Sequence, residues 1–189
     1  MNTYLKDLYN NVRGVLIDPA LFWKEKKAGY LTNSKLLAGY LIPLIVFAAL
    51  GVFAGGLFRG SLFYLLFPVM KAVRKIVLFA VYYIIMVYII KELMPAFGIK
   101  KDLRTARDLA AFSLTPVLII SFFTGLFPFL YILDILGIYG FYIFWKGINE
   151  LPDFNERGQF SYFLMIIIAG LLVYGLLSII LSKLLTVIL

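Results

Sequence analysis

The chain has 189 residues, 63% of them hydrophobic, with a net charge of +8 and a mean hydropathy of +0.97, a balance that points to helices in lipid. It contains neither cysteine nor histidine, which excludes disulfides, thiol nucleophiles, thiolate or imidazole metal sites and histidine-based triads. Its basic residues flank apolar blocks, where anionic headgroups and membrane topology account for them better than nucleic acid does.

In chain order, Thr3 to Leu16 places Tyr4, Leu5, Leu8, Tyr9, Val12, Val15 and Leu16 at helical spacing, opposite Lys6, Asp7, Asn10, Asn11 and Arg13. This predicts an amphipathic helix on the membrane surface, its apolar stripe facing lipid or the bundle. Asp18 and Pro19 then form a helix-start signal, the carboxylate capping free amides and the proline fitting the first turn. Leu21, Phe22 and Trp23 offer an aromatic anchor at the interface, followed by Lys24, Lys26 and Lys27. Residues 1–35 are thus expected to be a cytoplasmic interfacial segment, and residues 36–189 a membrane domain. No removable secretory leader is expected, since the first long apolar run begins only at Leu36.

A bilayer core of ~30 Å is crossed by ~20 apolar residues in an α-helix. The stretches 36–58, 76–94, 109–126, 127–146 and 160–183 approach that length. None shows the alternation of a barrel strand, so the predicted fold class is all-α, polytopic, with five transmembrane helices. Asn33 and Ser34 are placed to cap the first span, which holds Pro43 and the spacings Gly51 to Gly55 and Gly56 to Gly60. Glycines four apart let backbones approach closely, within the monomer or across a dimer. Ser61 to Lys75, apolar then basic with Pro68 inside, is predicted to be an interfacial connector rather than part of a span.

Beyond Met94 and Pro95 comes a basic loop with Lys100, Lys101, Arg104 and Arg107, in which Asp102 caps the next helix. Pro116 is expected to kink that helix, with Ser113 or Thr115 bonding the freed carbonyls. Gly125 to Pro128 reads as a tight turn, and the fourth span carries Asp134, Gly137, Gly140 and Trp145 before a polar link over 149–159. Lys and Arg counts set the orientation: with the amino terminus inside, thirteen fall on inner flanks and five on outer ones, namely Arg59, Lys71, Arg74, Lys75 and Lys183. That asymmetry places the amino terminus in the cytoplasm and the carboxyl terminus outside.

Four stretches together resemble the Yip-domain family of five-helix membrane proteins, named for interaction with Ypt/Rab GTPases. They are Asp18-Pro19-Ala20-Leu21-Phe22, Ala106 through Ser113-Leu114-Thr115-Pro116, the turn at Phe127-Pro128, and Leu136 to Tyr142 followed by Trp145-Lys146-Gly147-Ile148. The resemblance implies an all-helical, non-enzymatic membrane protein, acting in eukaryotes in vesicle traffic. The long amino-terminal region of those eukaryotic members is missing ahead of Asp18, which makes a prokaryotic cytoplasmic (inner) membrane the expected home. Where relatives carry a glycine pair ahead of the third helix, this chain has Phe97-Gly98-Ile99.

Asp134, between Tyr131-Ile132-Leu133 and Ile135-Leu136, is the ionisable residue set deepest in an apolar block. A charge at membrane depth marks a pathway or a buried pair, and the predicted topology puts Lys183 and Arg59 at a similar depth as partners. No phosphate-binding loop, metal cluster or nucleophile with a base is evident, so no cofactor, metal or enzymatic activity is expected. Two functions follow. One is a scaffold or adaptor using the amino-terminal helix, Asp18-Pro19 and the basic loop Lys100, Lys101, Arg104 and Arg107. The other is a small transporter, channel or lipid-moving protein with a path near Asp134, Pro116, Gly137 and Gly140. The expected partners are the bilayer with its anionic headgroups, and a membrane-protein partner or second copy of the chain meeting the Gly51–Gly55 face; a cavity reaching Asp134 would favour the second function.

Overall fold

The computed structural model describes residues 3–26, 33–59, 65–150 and 156–188. Among these residues every regular element is helical, and five helices are long and apolar enough to cross a membrane: Leu37–Phe58, Leu66–Phe97, Leu103–Leu126, Pro128–Asn149 and Gly158–Leu184. The elements are α1 (Thr3–Ile17), α2 (Pro19–Lys26), α3 (Asn33–Leu36, a π-helical stretch Leu37–Leu41, then Ile42–Arg59), α4 (Leu66–Leu93), α5 (Leu103–Ser113), α6 (Thr115–Leu126), a 3₁₀ helix (Pro128–Ile138), α7 (Tyr139–Asn149) and α8 (Glu156–Ile188). The first and third spans form the most extensive pairing, through α3 and α6, with α4 against α3 and α8 against α4.

The apolar stripe of α1 is divided: Leu8, Val12, Val15 and Leu16 face the bundle, while Tyr4, Leu5 and Tyr9 are exposed. Val15 is fully buried, while Leu8, Val12 and Leu16 pack on the core and Lys6, Asp7 and Arg13 stay exposed. Both ends of α1 are tied down: the Tyr4 hydroxyl donates to the Ala38 carbonyl (3.0 Å), and the Tyr139 hydroxyl donates to the Leu16 carbonyl (2.9 Å). The helix therefore bridges the first and fourth spans. Asp18 caps α2, accepting from the Leu21 amide at 2.9 Å, with Pro19 buried in the first turn.

Three expectations need correction. Phe22 and Trp23 are not an interfacial anchor: Trp23 is 3% exposed, its indole N–H donates to the Ile143 carbonyl (3.1 Å), and both rings pack edge-on against Phe112. A buried indole needs such an acceptor, and the turn of α7 supplies it. The connector ending at Lys75 is not a connector from Leu66 onward. Pro68 lies in the first turn of α4, where its missing N–H breaks no bond, and the helix continues through Lys71, Arg74 and Lys75 into the second span. The fourth span is not one α-helix, since its first half is 3₁₀. The residues proposed to cap the first span, Asn33 and Ser34, begin its helix, and their side chains lie outside the described residues; so does Gly60.

The glycine pair of the first span is used inside the chain. A Cβ on Gly51 would lie 2.2 Å from the Phe122 carbonyl oxygen, and one on Gly55 2.1 Å from that of Gly125. Small residues let α3 and α6 meet backbone to backbone where lipid provides no hydrophobic drive for association.

Candidate functional site

The third span breaks at Leu114, with Pro116 in the first turn of α6, where its ring needs no donor. The break is closed by the backbone and not by the expected hydroxyls: the Leu114 amide donates to the Ala110 carbonyl (3.3 Å) and the Leu118 amide to that of Leu114 (3.0 Å). Thr115 instead shares a 2.6 Å hydrogen bond with the Tyr40 hydroxyl, tying the third span to the first. Ser113 Oγ is buried with no hydrogen-bond partner.

Ser113 faces a cavity of about 320 Å³ enclosed by the second to fifth spans. Its walls are mostly apolar, built from Phe79, Met86 and Ile90 of α4, Val117 and Ile120 of α6, Phe141 and Phe144 of α7, and Ile166, Ile167 and Leu171 of α8. Lys75 and Ile90, both in the lining, stand fifteen residues apart on α4, or ~22 Å at 1.5 Å per residue. The space is a long, narrow slot.

Apart from the Ser113 hydroxyl, its polar side chains gather at one end. Lys75 enters from α4, Asp134 from the 3₁₀ helix and Tyr174 from α8, with Tyr82 and Ser121 beside them. Lys75 lies nine residues into α4 and Asp134 six into the 3₁₀ helix; at their respective rises both sit ~12–14 Å from the start of their spans, on the same side of the bundle. Asp134 accepts a hydrogen bond from Thr124 Oγ1 at 3.0 Å, and it and Lys75 lie within each other's field without direct contact. Arg74, next in the chain, donates from Nη2 to the Ser178 carbonyl (3.4 Å). The Tyr82 and Tyr174 rings meet perpendicularly, 5.8 Å apart. Asp134, Ile138 and Leu171 line the slot yet are exposed, so it opens sideways between the fourth and fifth spans.

The 3₁₀ geometry explains how the fourth span lines it. At three residues per turn, side chains at i and i+3 eclipse, which stacks Asp134 and Gly137 in one row that continues to Gly140 in α7; all three line the slot. Gly140 also approaches the Ser113 carbonyl, where a Cβ would come within 2.4 Å.

The other residues singled out in the sequence are dispersed. Lys183 is exposed near the end of α8, and the side chain of Arg59 lies outside the described residues. Asp18 and Pro19 belong to the α2 cap. In the basic loop, Lys100 and Arg104 are exposed, Arg107 is half-buried, and Lys101 forms an ion pair with Glu92, which also pairs with Lys91 at 3.0 Å. Asp102 caps α5, accepting from the Arg104 amide (3.1 Å), the Thr105 amide (3.0 Å) and the Thr105 hydroxyl (2.6 Å). Burial works against its charge, but these hydrogen bonds outweigh it and hold the carboxyl below its usual range.

Two ionisable residues inside the bundle were not singled out. By sequence Lys75 falls in the connector, and Asp108, 2% exposed, directly follows the last cation of the basic loop, Arg107. The signal for Asp108 is its helical register with Thr105, Leu109 and Phe112, all buried on one face of α5.

The Yip1 domain family model matches residues 13–180, nearly the whole chain. The chain belongs to the Yip1 domain family. The match takes in the first four spans and most of the fifth and starts inside α1, so the segment from Arg13 through α2 lies within the Yip1 domain. No curated protein and no solved structure matches the chain.

Proposed function

We propose that this Yip1-domain protein is non-enzymatic and holds a lipid of the surrounding bilayer, one acyl chain in the slot and the headgroup at its charged end. One observation carries this reading: a slot lined over ~22 Å of α4, apolar along most of its length, charged at one end and open sideways to the membrane. A hydrated ion path would need polar groups along the whole length. The lipid-moving function is thus favoured over the scaffold. The test is to purify the protein in mild detergent and weigh it intact by native mass spectrometry. One phospholipid per chain is expected, with loss of that adduct in Gly137→Leu, whose new side chain enters the slot against the Val117 methyl; absence of any lipid adduct in the parent protein would defeat the proposal.

A second reading, the scaffold or adaptor, is supported by the exposed cations Lys6, Arg13, Lys100 and Arg104 on α1 and the basic loop. It requires the amino terminus to be cytoplasmic, in a prokaryotic inner membrane, and the carboxyl terminus outside. The excess of Lys and Arg on the flanks assigned to the inside supports that orientation. Reporter fusions at the two ends should give opposite signals.

A further inference from the structure

We propose that the charged end of the slot selects a zwitterionic phospholipid headgroup bearing a primary amine, with the phosphate beside Lys75 and the ammonium on Asp134. The inference rests on the lipid-holding reading above and adds the chemical class of the lipid. Lys75 and Asp134 line the same end of the slot from the second and fourth spans and carry opposite charges, each within the other's field yet not in contact. Among the described residues, Asp134 accepts one hydrogen bond, from Thr124, and is exposed, which leaves acceptor capacity for a ligand. Lys75 rests over the Phe79 ring, 5.0 Å from its centroid, whereas Asp134, in the fourth span, has no cation in contact, and a carboxylate so placed is costly. One group bridging the gap relieves both charges only if it carries both signs, in the order phosphate then cation.

Three headgroup classes then rank by chemistry. A glycerol phosphate satisfies Lys75 but offers Asp134 only neutral hydroxyls and no positive charge. A quaternary ammonium matches the charge of Asp134 but has no N–H to donate. A primary ammonium offers three donors to the carboxylate, and charge-assisted hydrogen bonds are the stronger kind. Tyr82 and Tyr174 line the same end of the slot.

The test uses the full chain in nanodiscs of defined mixtures of phosphatidylethanolamine, phosphatidylcholine and phosphatidylglycerol, with the retained lipid weighed by native mass spectrometry. Enrichment of the ethanolamine lipid over the glycerol lipid on the order of tenfold relative to the bulk mixture is expected. Asp134→Asn should still retain one lipid but in the bulk ratio, and Lys75→Gln should weaken retention of all three. Thr124→Ala, which removes the hydroxyl that holds the carboxylate, should lower the preference partway and serves if Asp134→Asn does not fold. Retention in the bulk ratio by the parent protein, or an unchanged preference in a folded Asp134→Asn, would overturn the headgroup assignment while leaving the lipid slot standing. No retained lipid in any mixture would overturn both.

Discussion

Ser113 carries a buried hydroxyl with no partner, on a wall where the rest of the lining is mostly hydrocarbon. Burying an unbonded hydroxyl costs about 1–3 kcal/mol, whereas a side chain without one loses little. Ser113→Ala is therefore expected to leave the melting temperature of the detergent-solubilised protein unchanged or slightly raised; a clear drop would mean that the hydroxyl is bonded after all. Thr115, two residues on, is the opposite case. Its hydroxyl joins two spans through Tyr40, so Thr115→Val should strand a buried phenol and lower the melting temperature. The sequence shows two hydroxyl residues flanking a helix break, and nothing in that pattern tells which one reaches another helix. That depends on where Tyr40 stands, which is a fact of packing.

At the scale of elements, the five spans are legible because apolar length alone identifies them. Their edges are less so. Lys71, Arg74 and Lys75 look like a flank, yet α4 is 28 residues long, ~42 Å at 1.5 Å per residue, and can carry cations in its early turns while its remainder crosses the membrane. The 3₁₀ half of the fourth span is hidden for a different reason: apolar residues on every face leave no periodicity to distinguish three residues per turn from 3.6. What the sequence does show there is the i, i+3 series Asp134, Gly137, Gly140, which the 3₁₀ row turns into one wall of the slot. The glycines of the first span are legible as a close-packing signal, though not as to their partner. Because a Cβ on Gly55 would fall on the backbone of Gly125 and Leu126, Gly55→Ala must separate α3 from α6. It should destabilise the protein by about 1–3 kcal/mol, read as a lower denaturation midpoint. Gly175, which has open space where its Cβ would be, is the control: Gly175→Ala should be neutral or stabilising.

Across the whole molecule, α1 bridges the first and fourth spans, α2 packs on α7, α3 and α6 make a tight glycine-mediated pair, and the second to fifth spans stand around a slot. Asp134 marks the site in the sequence, while Lys75, the cation opposite it, becomes visible only once α4 is known to begin at Leu66. The central claim is that a lipid chain occupies the slot in the membrane. The most direct measurement replaces Phe141, which lines it, with the photoreactive aromatic benzoylphenylalanine and irradiates the protein in its native membrane. The account predicts an adduct heavier by the mass of one phospholipid, reduced when Gly137→Leu is added. Crosslinks to neighbouring helices alone, with no lipid adduct, would contradict it.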